Sequence, residues 1–152
     1  MKHYINSQNQ ILGFDESQAD IIPTDCVLIP SSYTIDQYQY LSVTKGEISF
    51  NQDAYDLSAK SHLIGQYESS AQSNLDSVAQ SWGYDSVVSA VSYANSTIAQ
   101  FKAEAVALIE WRDAVWSSAY TLLANVQAGK KLAPKTVDEF LALLPIAPGR
   151  PV

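Results

Sequence analysis

The hydrophobic positions between residues 97 and 128 repeat every three or four residues. Both of the rows that they form fit the 3.6-residue period of an α-helix, and neither fits the two-residue period of a strand. Because polar residues keep to a narrow stripe, we expect the central helix of a bundle, buried on several sides. A capping box of Thr97 and Gln100 predicts its start, and Gly129 predicts its end. The two rows are Phe101, Ala105, Leu108, Val115, Ala119, Leu122 and Val126, and Ile109, Trp116, Tyr120 and Leu123.

A second long helix is predicted to begin near Leu57 and to end before Gly83. Its apolar face comprises Ile64, Tyr67, Ala71, Leu75, Val78 and Trp82. Asp85 is then expected to cap a two-turn helix over residues 86–93. Thr136 and Glu139 form a capping box for a last helix, which Pro145 stops. The two long helices are expected to pack antiparallel, because only a short helix and tight turns join them.

Residues 1–52 have a different pattern, with short apolar runs separated by polar turns. Residues 4–5 and 11–14 flank a polar loop and predict a hairpin, while residues 26–29 and 47–50 predict further strands. A capping box of Thr34 and Gln37 predicts a short helix through about Leu41. The expected fold class is therefore α+β. It comprises a small β-containing unit (1–52), a helical domain (53–145) with two long antiparallel helices, and an extended, proline-rich tail (146–152).

An ordered set of short motifs resembles a helical domain of unknown biochemistry found in tail-fibre and tail-fibre-assembly proteins of tailed bacteriophages. The motifs are Leu75-Asp76, Gly83-Tyr84-Asp85, Ser92-Tyr93-Ala94, Trp111 to Trp116 (Trp-Arg-Asp-Ala-Val-Trp), Gly129 and Leu144-Pro145. The likeness covers about residues 57–145. The first half is similar in order to the amino-terminal segment of tail-fibre assembly proteins, through Tyr4-Ile5, Ile22-Pro23 and Thr34-Ile35-Asp36.

The resemblance implies a non-enzymatic assembly protein whose partner is a phage tail-fibre protein. Such a protein acts as a chaperone or cap that binds the fibre end and assists folding or trimerisation. An alternative is a virion component retained at the fibre tip or baseplate, with an adaptor or receptor-binding role. The expected location is the host cytoplasm during phage assembly or, in the alternative, the virion tail. Oligomeric state, host and cognate fibre stay open.

Charge and motif content narrow the function classes further. The formal net charge of −7 argues against binding a nucleic acid backbone, which depends on Lys and Arg. No apolar run approaches 18 residues, so no membrane insertion is expected. The lone cysteine, Cys26, excludes an internal disulfide framework. Because catalytic signatures and ligand-like spacings are missing, we expect no catalytic residues, no cofactor and no metal.

Arg112 is the unusual residue of the central helix, because it interrupts the main apolar row. A buried guanidinium without a partner is costly, so an ion pair inside the bundle is expected. Asp76 and Asp85 are the candidate partners. An alternative is that Arg112 and its neighbouring tryptophans receive a partner chain. The residues expected in the core or in this ion pair are Trp82, Tyr84, Asp76, Asp85, Trp111, Arg112 and Trp116, with Trp116 deeply buried.

The chain has nine tyrosines, and several cannot be placed in one core. Tyr38 and Tyr40 cannot both face inward from a short helix. Exposed tyrosine on a polar surface favours protein recognition or sugar stacking. The candidate partner-binding residues are Tyr33, Tyr38, Tyr40 and Tyr55. The alternative is that they are ordinary half-buried aromatic residues.

Overall fold

The computed structural model describes all 152 residues except the side chain of Glu16. Over these described residues, five short strands precede four α-helices, so the predicted α+β class is confirmed. The chain divides into two compact units, residues 1–62 and residues 63–152. The division therefore falls at residue 62 rather than at residue 52, because the first turns of the first long helix group with the strands.

The first unit begins with an antiparallel sheet of order β2-β1-β3. Its strands are β1 (Lys2–Ile5), β2 (Ile11–Phe14) and β3 (Val27–Leu28). The predicted hairpin is confirmed, with Lys2 opposite Phe14 and Ile5 opposite Ile11. Its polar loop is fixed by the Asn6 side chain, whose Oδ1 accepts hydrogen bonds from the backbone N–H groups of Gln8 and Gln10. The Asn6 side chain thus stabilises the turn by accepting hydrogen bonds from backbone N–H groups two and four residues later.

A second hairpin follows two short 3-10 helices, Glu16–Ile21 and Ile35–Tyr40. The predicted capping box of Thr34 and Gln37 is present at the start of the second one. The hairpin comprises β4 (Leu41–Thr44) and β5 (Glu47–Phe50). Its turn places Lys45 at φ 54° and Gly46 at φ 81°, as a two-residue turn of the left-handed type requires. Sequence reasoning missed β4, because its residues follow the 3-10 helix without a break.

The core of the first unit lies under these two hairpins. Ile5, Ile29 and Leu41 are buried at its centre. Half-buried residues pack around them: Val27, Tyr33, Tyr38, Val43, Ile48 and Phe50. Several of these are aromatic, which shows that the tyrosine-rich sequence of this unit contributes to its own core as well as to its surface.

The second unit is helical. Its elements are the body of α1 (Gln52–Ser81), α2 (Val87–Val91), a 3-10 turn (Ser92–Asn95), α3 (Ala99–Gln127) and α4 (Val137–Ala142). One core joins all four helices. Its buried members are Ala71, Leu75, Ala79, Trp82, Val87, Ala90, Leu108, Trp111, Val115, Phe140 and Leu144. Residues 146–152 have no regular secondary structure.

The prediction that α3 is buried on several sides is wrong. Its buried residues form one stripe, Glu104, Ala105, Leu108, Trp111 and Val115, whereas Phe101 and Tyr120 are exposed. The physical reason is that two of the four helices are only five and six residues long. Such short helices cannot surround a helix of 29 residues, which is about 43 Å long at 1.5 Å per residue.

The helix ends follow the predictions in part. Gly129 adopts φ 68°, and the backbone N–H of Lys130 donates to the carbonyl of Asn125, which is the Schellman ending that glycine favours. Thr136 caps α4 by accepting from the N–H of Glu139. The predicted cap of α3 is wrong, because Ile98 takes that position and Gln100 makes other contacts. Ser86, not Asp85, caps α2.

Candidate functional site

A carboxylate lies inside the helical unit. Glu104, on the buried stripe of α3, is 0% exposed. Its Oε1 accepts hydrogen bonds from Gln100 Nε2 at 2.6 Å and from Arg150 Nε at 2.7 Å, and its Oε2 accepts one from the Tyr84 hydroxyl at 2.6 Å. We call these four residues the Glu104 site. A buried charge is stable when it is paired and hydrogen-bonded in this way.

Three different segments supply the partners of Glu104. Gln100 lies one turn earlier on α3, and Tyr84 follows the turn at Gly83, where φ is 98°. Arg150 belongs to the carboxy-terminal residues 145–151, which we call the strap. Two more hydrogen bonds hold the strap, from Trp111 Nε1 to the Pro145 carbonyl at 2.9 Å and from Gln100 Nε2 to the Pro151 carbonyl at 2.6 Å. The predicted extended tail is therefore bound along α3.

The electrostatics of the Glu104 site fix its charge state. The hydrogen bond from Arg150 is the main cause that lowers the pKa of Glu104 to about 2, with further help from Tyr84 and Gln100 against the cost of burial. Burial, followed by the hydrogen bond to Glu104, raises the pKa of Tyr84 to about 12. A carboxylate this acidic is a weak proton acceptor at neutral pH. The arrangement suits the binding of a cation rather than acid–base chemistry.

The predicted internal ion pair of Arg112 with Asp76 or Asp85 is wrong. Arg112 pairs with the adjacent Asp113, from Nη2 to Oδ1 at 2.8 Å, at the surface. Buried positions on α3 run through Glu104, Leu108, Trp111 and Val115, at spacings of four, three and four. Arg112 lies beside that row, and its side chain is 34% exposed, so its guanidinium reaches solvent.

The two predicted carboxylate partners have other roles. Asp76 Oδ1 accepts from the backbone N–H of Val87 at 2.9 Å, which ties α1 to the start of α2. The Asp85 carbonyl accepts from Gln80 Nε2 at 3.1 Å, and its side chain is exposed. Both residues contribute to the turn between α1 and α2 rather than to an ion pair.

The tryptophans divide into two groups. Trp82 and Trp111 are buried in the helical core. The expectation that Trp116 is deeply buried is wrong, because it is only half-buried and its ring stacks on Tyr120 with centroids 5.9 Å apart. Trp111 falls on the buried stripe of α3, whereas Trp116, five residues later, falls beside it.

Three of the four candidate partner-binding tyrosines meet in the first unit. Tyr33, Tyr40 and Tyr55 surround Phe50, with ring centroids 5.6, 6.5 and 5.5 Å from it. We call these four residues the Phe50 cluster. All four are half-buried, so each keeps part of its surface accessible. Ile35, which is 76% exposed, immediately precedes Asp36, the residue that accepts a hydrogen bond from Tyr55.

A side-chain hydrogen bond connects the Phe50 cluster to Asp36. The Tyr55 hydroxyl donates to Asp36 Oδ2 at 3.1 Å. Hydrogen bonding from Thr34, and then from Tyr55, lowers the pKa of Asp36. Tyr38, the fourth candidate, lies apart and packs on His3, with a Tyr38 hydroxyl to His3 Nδ1 distance of 3.3 Å. The Tyr55–Asp36 hydrogen bond thus links the cluster to the 3-10 helix at Ile35–Tyr40.

Comparison with known proteins adds no relative. No protein-family model, no curated protein and no solved structure matches the chain. The resemblance to phage tail proteins therefore stays a prediction. Within the described part of the chain, no helix is long and apolar enough to cross a membrane, and no group of three or more His, Cys, Asp or Glu side chains is placed to hold a metal ion.

Sequence reasoning missed Glu104 and Arg150, although a signal for them exists. Glu104 continues the row Leu108, Trp111 and Val115 at helical spacing, so it is a charged residue in an apolar row. Arg150 is the sole arginine among the prolines of the strap. A lone acid in a buried row together with a lone arginine in an extended segment indicates a pair.

Proposed function

We propose that this chain is a phage tail-fibre assembly protein that binds fibre chains through the surface formed by the Phe50 cluster and Ile35. The observation that carries the proposal is the convergence of Tyr33, Tyr40 and Tyr55 on Phe50. The exposed Ile35 immediately precedes Asp36, which accepts a hydrogen bond from Tyr55. The order of the phage-like motifs along the chain supports the same proposal from the sequence side.

The chemistry of this surface suits an unassembled fibre chain. Tyrosine rings combine a large apolar area with a hydroxyl that binds polar groups, and they lose little conformational freedom on binding. Fibre chains are long and rich in β-structure. Before they trimerise, they expose apolar faces and unpaired strand edges that tend to aggregate. A preformed aromatic surface covers such faces at a small entropic cost.

The net charge supports the same role. At −7, the chain repels other copies of itself at neutral pH and stays dispersed. A protein that covers the apolar surfaces of another chain needs this property. Its charge keeps the complex from aggregating through apolar surface that stays exposed.

Coexpression with a carboxy-terminal tail-fibre fragment from the same phage tests the proposal. We expect soluble fibre trimer to form only in the presence of this chain, and a complex of the two to elute together in size-exclusion chromatography. Equal trimer yield without the chain, and no common peak, would contradict the proposal. Mass spectrometry of purified particles then separates a transient chaperone, which is absent, from a retained tail component, which is stoichiometric.

A further inference from the structure

Two of the three hydrogen bonds to Glu104 do not involve the strap. Tyr84 and Gln100 orient the two carboxylate oxygens of Glu104, and both belong to the body of the helical unit. Arg150 donates the third hydrogen bond, to Oε1. Because a carboxylate can accept about four hydrogen bonds, removal of Arg150 leaves Glu104 with free acceptor capacity that suits a guanidinium.

Arg150 is much more exposed than the carboxylate with which it pairs. The side chain is 49% exposed, although Glu104 is fully buried. The contact is made through Nε, whereas the strongest arginine–carboxylate pairs use two parallel N–H bonds. The strap has no regular secondary structure, and Ile146 within it is exposed to solvent.

We propose that Glu104, Tyr84 and Gln100 form a guanidinium-binding site that Arg150 closes in the free chain and that an arginine of another polypeptide segment can occupy in its place. The strap then acts as an internal competitor. The Pro151 carbonyl next to Arg150 also accepts a hydrogen bond from Gln100. An incoming segment therefore needs an arginine in an extended backbone, so that the carbonyl of its next residue can reach Gln100 as well. This site lies in the helical unit and does not depend on the fibre-binding proposal.

The ligand class follows from the geometry of the site. A guanidinium extends several N–H groups from a planar head, so it reaches a recessed carboxylate while its other face stays hydrated. An ammonium group is a compact and strongly hydrated charge, and entering the site costs it more hydration. The site therefore favours arginine over lysine, and an acidic segment is repelled.

A peptide titration on the full-length Arg150→Ala variant tests the proposal. The probe is the blocked pentapeptide Pro-Gly-Arg-Pro-Val, which repeats residues 148–152, and the readout is the amide signal of the Gln100 side chain in NMR spectra. We expect saturable binding to the variant and at least tenfold weaker binding to the wild-type chain, because Arg150 competes there. The matched peptides carry lysine or alanine in place of arginine, and they should bind several-fold more weakly and not at all, respectively.

Two results would overturn the proposal. One is equal binding of the arginine and alanine peptides; the other is unchanged binding when Glu104→Gln is added to the Arg150→Ala chain. If Arg150→Ala does not fold, the Arg150→Lys variant replaces it. The arginine peptide should then bind at least threefold more tightly to that variant than to the wild-type chain, and equal affinities would overturn the proposal.

Discussion

Replacing Trp111 with alanine is expected to lower the free energy of unfolding by about 3–5 kcal/mol, the usual cost of truncating a large buried aromatic residue. Trp111 is 5% exposed and lies in the core that all four helices share. Its indole N–H also donates to the Pro145 carbonyl at 2.9 Å, so the change removes apolar packing and a bond to the strap together. Urea denaturation followed by circular dichroism measures the loss.

Two neighbouring variants serve as controls for Trp111→Ala. Trp116→Ala should cost only about 1–2 kcal/mol, because a half-buried ring loses less area from packing. Arg112→Leu should change stability by less than about 1 kcal/mol, because it breaks a solvent-exposed pair. If Trp116→Ala proved as costly as Trp111→Ala, the buried stripe of α3 would be assigned to the wrong face.

The second large effect concerns Glu104 and pH. Its pKa is lowered from an ordinary value of 4.5 to about 2 in the folded chain. A lowered pKa means that the ionised carboxylate stabilises the fold above about pH 4.5, and that this contribution is lost as the pH falls towards 2. Glu104→Gln is expected to reduce stability at neutral pH by about 1.5–3 kcal/mol, the range for hydrogen bonds to a charged group.

The measurement is the difference in unfolding free energy between the wild-type chain and Glu104→Gln, from pH 7 to pH 2. We expect the difference to be constant down to about pH 5 and to shrink below it. Asp25 and Asp36 also have lowered pKa values, but both chains carry them, so their contributions cancel. Glu110→Gln, on the exposed face of the same helix, is the control. A difference that stays constant to pH 2 would contradict the assignment of the buried charge.

Local sequence signals predicted most of the fold. The hairpin at residues 2–14, the capping box at Thr34 and the Gly129 helix end each depend on neighbouring residues only. Their structures are therefore decided within a few positions along the chain. The α+β class followed from the change between a strand-like and a helical pattern near residue 52.

The candidate sites were harder to predict, because they depend on long-range contacts. Arg112 interrupts an apolar row of α3. Whether such a row lies at the centre or at the edge of the buried face depends on which helices pack against it. Glu104 and Arg150 are 46 residues apart, and no local pattern joins them. Tyr33, Tyr40 and Tyr55 meet because the β4–β5 hairpin lies between Tyr40 and Tyr55 along the chain, and their role in partner binding stays a prediction. Phe50, their common neighbour, was expected only as part of a strand.

The most direct test of the proposed fibre-binding surface, formed by the Phe50 cluster and Ile35 and called the Phe50 surface below, compares two single substitutions in the coexpression experiment. Ile35 is 76% exposed and immediately precedes Asp36, which binds Tyr55 of the cluster, and Leu132 is 93% exposed in the helical unit. Ile35→Lys and Leu132→Lys should each change the free energy of unfolding by no more than about 0.5 kcal/mol, as surface substitutions do. A lysine at position 35 places an unpaired charge in the proposed interface, where its desolvation is costly.

The measurement is the yield of soluble fibre trimer, together with the fraction of the chain that elutes with the fibre. Our account predicts that Ile35→Lys abolishes both, whereas Leu132→Lys leaves both at the wild-type level. Full trimer yield and full complex formation with Ile35→Lys would contradict the account and exclude the Phe50 surface as the fibre-binding site.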